Sequence, residues 1–156
     1  MDRRTFLSSC GVAASIAVAG CGGSNTDPAE GTGPGTTTAP VPSVTDRSIT
    51  TGQTGCGTTD GEASVSFDAD ELWVELSGTI TASNPCHDAT LAGATYDAEA
   101  DTLTVTVGTE SRDGICTECI GRVEYAGTVT FEGALPGRVV VDHGAEEPRT
   151  VTERDR

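Results

Sequence analysis

From Ala63 to Val141 the chain places an apolar residue at every second position in run after run. That period confines the fold to sheets with one buried and one wet face. Ala63, Val65 and Phe67 alternate with polar neighbours. Leu72, Val74, Leu76, Gly78, Ile80 and Ala82 make a longer run, followed by Leu103, Val105 and Val107, then by Val123, Tyr125, Gly127, Val129 and Phe131, and last by the block Arg138–His143. Turn chemistry separates the runs at Asp60-Gly61, Asp68–Glu71, Asn84-Pro85, Asp97–Asp101, Asp113-Gly114, Glu132-Gly133 and Pro136-Gly137. No window carries a convincing helical stripe. The expectation is all-β: an antiparallel, immunoglobulin-like β-sandwich of about six to eight strands over residues 49–156, preferred to a closed barrel. Trp73 has the opposite parity from Leu72, Val74 and Leu76, so it is either an exposed aromatic or a sign of a strand covered on both faces.

Ahead of these runs, residues 21–48 are built largely from Gly, Thr, Pro, Ala and Ser, centred on Gly31–Pro42. Such a composition buries too little apolar surface to offset its ordering entropy, and it reads as a disordered linker. A flexible tether of about 27 residues has a typical end-to-end distance of roughly 30 Å. Thr-rich stalks of this kind are often O-glycosylated. An Asn-X-Ser/Thr acceptor is absent, because Asn25 is followed at the second place by Asp27, and Asn84 by Pro85 and Cys86.

The first residues read as an address. Arg3-Arg4 and Phe6-Leu7 precede an uncharged, small-residue run from Gly11 to Ala19, as in a twin-arginine secretion signal, and Val18-Ala19-Gly20-Cys21 resembles a lipobox. In that resemblance residues 1–20 are removed and the Cys21 sulfur carries lipid, which tethers the protein to the extracytoplasmic face of the cell membrane. The apolar core of about nine residues is too short to cross a hydrocarbon layer, which needs about 20.

Charge narrows the setting. Nine arginines and no lysine oppose 24 acidic residues. Removing residues 1–20 takes away Asp2, Arg3 and Arg4, leaving 23 acidic and 7 basic side chains and a net charge of −16. A surface of this sign disfavours nucleic acid and anionic surfaces as partners. At 1 M salt, where the Debye length is about 3 Å, its self-repulsion is screened almost at contact.

Six cysteines remain to be placed. Cys10 leaves with the signal and Cys21 is taken by lipid, so the domain keeps Cys56, Cys86, Cys116 and Cys119. In an exported domain four cysteines read first as two disulfides. Three connectivities are open. Cys86–Cys116 with Cys56–Cys119 is preferred because each bond then ties different strands, whereas Cys116–Cys119 would close only a tiny loop. A sharper alternative joins Cys86-His87 to Cys116-Thr-Glu-Cys119, with His143 as a further ligand, as a zinc or copper site. A thiol-exchange pair at Cys116 and Cys119 is a third reading, but no helix signal follows to activate a thiolate.

Other constellations carry less. Asp97-Ala-Glu-Ala-Asp101 begins like a calcium loop, yet Thr102 and Gly108 stand where such a loop needs Gly and Glu, so a solvated turn is expected. There is no Gly-X-Ser-X-Gly, His-Glu-X-X-His or phosphate-cradling glycine loop.

Asn84-Pro-Cys-His87, Asp101–Val107, Gly114–Gly121, Tyr125 and Leu135–His143 together resemble twin-arginine-exported lipoproteins of halophilic archaea and, more distantly, small secreted β-sandwich domains of bacteria. The resemblance spans most of residues 75–143. It implies the sandwich and a Cys86–Cys116 bond, and it implies no particular activity. The expected function is a non-catalytic, membrane-anchored binding or envelope-associated module without a cofactor, its partner an envelope protein or a glycan. The alternative is a metal-binding or thiol-redox lipoprotein.

Overall fold

The structure is a computed structural model that describes residues 38–144 and 149–155. The signal segment 1–20, Cys21 and the linker up to residue 37 lie outside the described residues.

Among the described residues eight strands form two four-stranded sheets. Strands β1 (Ser43–Cys56), β2 (Ala63–Asp68), β3 (Trp73–Ala82) and β6 (Gly121–Glu132) make the first sheet, in the order β1-β6-β3-β2. Strands β4 (His87–Asp97), β5 (Thr102–Ser111), β7 (Arg138–Asp142) and β8 (Thr150–Glu153) make the second, in the order β4-β5-β7-β8. The expected all-β sandwich is therefore present. One detail departs from the antiparallel expectation: β5 and β7 pair in parallel. After β5 the chain crosses to the first sheet for β6 and returns for β7, and two reversals restore the original direction. Side-chain alternation reports burial and is blind to pairing direction, so this could not be read from the period.

The alternating residues meet in one core. Val74, Leu76 and Ile80 from β3 and Val123, Val129 and Phe131 from β6 face Leu103, Val105 and Val107 from β5 and Val139 and Val141 from β7, all buried. Burying each such side chain contributes roughly 1.5–3 kcal/mol relative to exposure. Leu135 and Pro136, just before β7, are buried as well. At Gly78 the inner face has no side chain, and Tyr125, directly opposite on β6, fills the space: a Cβ on Gly78 would lie 2.6 Å from the Tyr125 hydroxyl. That hydroxyl shares a 2.6 Å hydrogen bond with Nε2 of His143, whose ring meets the phenol edge-on.

Residues 43–48, at the end of the stretch read as linker, belong to β1 and pair with Thr128–Glu132. Their Thr and Ser content suits an edge strand as well as a coil.

The β2–β3 and β4–β5 connections are the same turn built twice. Asp68 Oδ1 accepts hydrogen bonds from the backbone N–H groups of Asp70 and Glu71, at 3.0 and 2.9 Å. Asp97 Oδ1 does the same for Glu99 and Ala100, at 2.9 and 3.1 Å. Each turn closes on a residue in the left-handed region, Leu72 at φ 55° and Asp101 at φ 48°. The aspartate at the turn's first position is the device that fixes it.

Candidate functional site

At the end of the sandwich opposite Ser43, two connections cross between the sheets. Ser83–Cys86 carries the chain from β3 to β4, and Arg112–Ile120 carries it from β5 to β6. Two disulfides fasten both connections. Cys86–Cys116 ties one crossover to the other, with Cα atoms 5.9 Å apart. Cys56–Cys119 ties the second crossover to the last residue of β1, at 5.7 Å. The connectivity is the one preferred from the sequence, and both bonds have ordinary Cα spacing.

Polar contacts complete the clamp. The Arg112 N–H donates to the Cys86 carbonyl at 2.8 Å and the Gly57 N–H to the Ile120 carbonyl at 2.9 Å. The Arg112 guanidinium donates to Thr54 Oγ1 and the Pro85 carbonyl and pairs with Asp88 at 3.5 Å, linking β1, the β3–β4 connection and β4. Asn84 Oδ1 accepts from the Cys86 N–H at 3.0 Å. The clamped connection exposes Asp113, Thr117 and Glu118 and, among them, two apolar side chains: Ile115 is fully exposed and Ile120 is 54 % exposed.

Among the described residues the metal reading finds no matching geometry, and Cys116 and Cys119 are bonded to different partners and not to each other. All four cysteines are consumed in pairs, so no thiolate ligand set stands at Cys86, Cys116 and Cys119. His87 turns Nδ1 toward the Asn84 carbonyl and Oδ1, both at 3.1 Å. Because both are acceptors, that nitrogen carries the proton. His143 lies in the core against Tyr125 and is not brought to His87. Among the described residues no group of three or more His, Cys, Asp or Glu side chains is placed to hold a metal ion.

The Asp97–Asp101 stretch is the turn already described. Its carboxylates serve the backbone and Tyr96, whose hydroxyl donates to Asp101 Oδ1 at 2.8 Å. Burial, the hydrogen bond to Asp101 and the charges of Asp101 and Asp97 push the Tyr96 phenol from 10.0 up to about 12. The sign follows directly: a folded-state value above the unfolded one holds its stabilisation below pH 10.0 and loses it as pH rises toward about 12. Urea unfolding midpoints of the wild type should therefore fall across that window more steeply than those of Tyr96→Phe. Parallel curves would remove Tyr96 as the cause.

One feature of the opposite end was ambiguous in sequence and is resolved in space. Trp73 is 39 % exposed on the outer face of the first sheet, with Asp68 beside it on β2 and Thr130 beside it on β6. Compared with protein-family models, with curated proteins and with solved structures, the chain matches none.

Proposed function

We propose that this chain is an extracytoplasmic lipoprotein whose β-sandwich is a non-catalytic binding or envelope-associated module. Residues 1–20 act as the twin-arginine signal, Cys21 carries the lipid, and the Gly/Thr/Pro-rich stretch holds the sandwich clear of the membrane. The observation that supports this best is the pair of disulfides, which belong to oxidising compartments and which tie down both crossovers at one end of the domain. The end they tie lies away from Ser43, where the tether enters, so Ile115 and Ile120 point to a contact made at the distal tip.

The test is intact and non-reduced peptide mass spectrometry on protein purified from its own membrane in high salt, with elemental analysis of the same sample. The expected result is an N terminus at Cys21 bearing a lipid mass, the bonds Cys56–Cys119 and Cys86–Cys116, and release of Cys21→Ser from the membrane. An uncleaved chain, an unmodified Cys21 or stoichiometric zinc or copper on reduced cysteines would overturn it.

A further inference from the structure

The outer face of the first sheet holds a second surface, remote from the disulfide clamp. Its register puts side chains in rows across the strands: Asp68, Trp73, Thr130 and Asp46 in one, and Ser66, Glu75, Thr128 and Ser48 in the next. The row after that is Ser64, Ser77, Ala126 and Thr50. Small side chains in the third row, set against Glu75 in the second, leave a shallow cleft of about 150 Å³ over β2, β3 and β6. Trp73 stands at the end of the same strand face. It is the only tryptophan of the chain, and its indole is not needed by the core.

We propose that this face is a carbohydrate-binding platform, with the Trp73 indole stacking on the apolar face of a neutral sugar ring. In this arrangement Asp68 and Thr130 bond hydroxyl groups of that ring, and Glu75, Ser66 and Ser77 bond those of the following rings of the sugar chain as it runs along β3. The inference rests on the reading of the domain as a binding module and names the ligand class. Three features on this face select the ligand. Carboxylates at Asp46, Asp68 and Glu75, with no arginine in the three rows, repel an anionic glycan, a phosphate or a nucleic acid. Those carboxylates only accept hydrogen bonds, so the ligand must donate. The serine and threonine hydroxyls donate or accept as the ligand requires, which suits a sugar hydroxyl that does both. A cationic peptide would also answer the indole and the carboxylates, and the decaarginine titration separates it from a sugar.

The single tryptophan makes the site its own reporter. The mature protein in high salt is titrated with maltohexaose, chitohexaose and mannohexaose and, separately, with a decaarginine peptide, following Trp73 emission and, for variants lacking it, calorimetry. The expected result is a saturable blue shift with at least one hexasaccharide, at least tenfold weaker binding for Trp73→Ala, partial retention in Trp73→Phe, and a several-fold loss in Glu75→Gln. Arg122→Gln, at the far end of the same face and paired with Glu124, should bind as the wild type does. A response to decaarginine alone overturns the sugar reading and keeps the domain a binding module. Silence with every probe overturns the platform. The module reading then rests on the distal loop, tested by whether Ile115→Asp abolishes partner cross-linking in native membranes while Trp73 emission is unchanged.

Discussion

Replacing both disulfides, as Cys56→Ser/Cys119→Ser combined with Cys86→Ser/Cys116→Ser, is expected to lower unfolding free energy by about 7 kcal/mol, a large share of the roughly 5–15 kcal/mol typical of a domain. The bonds are nested. Cys86–Cys116 closes 30 residues of separation inside the 63 closed by Cys56–Cys119. Once the inner bond is made, the outer one closes an effective loop of only about 33 residues, 63 less 30, because the inner segment is bypassed. On the loop-entropy relation each single-bond variant should then lose about 3–4 kcal/mol, the outer slightly more than the inner. Denaturant unfolding without reductant measures all three, with non-reduced peptide maps to confirm which bond survives. A single-bond variant within 1 kcal/mol of wild type would show that the crossovers are already ordered without that covalent tie.

How much of this was legible in the residues depends on where the period-two rule holds. Strands β2, β3, β5 and β6 keep the alternation and were visible as runs, and β7 was visible as the apolar block Val139–Val141. Strand β4 has a register shift between Leu91 and Gly93, and β1 has two, at Val44/Asp46 and Thr51/Thr54. An extra residue reverses the parity of everything after it, so neither strand shows a continuous pattern. Strand β8 spans only Thr150–Glu153 and contributes an exposed Val151, too little for a period to register. Elements lost to the eye are thus bulged or very short edge strands.

The candidate sites divide in the same way. Cysteine number and spacing, read with the expected export, were enough to find the clamp, since the chemistry of a disulfide is written in residue type. Ile115 was unreadable because nothing local distinguishes an exposed loop isoleucine from a buried one. Trp73 showed its parity in sequence, but the rows of hydroxyls and carboxylates around it come from Asp46, Asp68, Glu75 and Thr130 on four different strands. Only register brings those together. His143 was offered as a ligand on residue type, yet its neighbour is Tyr125, placed by the vacancy over Gly78.

The second large effect is expected from a single methyl group. Gly121 opens β6 and is paired on both sides, with Cys56 of β1 and Ala82 of β3. A Cβ there would lie 2.1 Å from the Asn84 carbonyl oxygen, 2.3 Å from its carbon and 2.8 Å from the Pro85 nitrogen. These are backbone atoms, so no rotamer change relieves the clash. The Asn84–Pro85 segment cannot swing away cheaply either, because Asn84 caps the Cys86 N–H, accepts from His87, and leads straight into the Cys86–Cys116 bond. Gly121→Ala should therefore cost about 3 kcal/mol or more, at the upper end of overpacking penalties. Gly55→Ala, one residue from the same clamp, is the control. Its Cβ meets nothing within 4 Å, and the change should be neutral or stabilise by up to about 1 kcal/mol. Coupling decides the cause. If the crossover's rigidity sets the cost, Gly121→Ala will be milder in the Cys86→Ser/Cys116→Ser background than in the wild type, by an interaction energy on the order of 1 kcal/mol. Strict additivity would place the penalty in the strand pairing of Gly121 itself, and leave the inner disulfide as a tie on the unfolded chain alone.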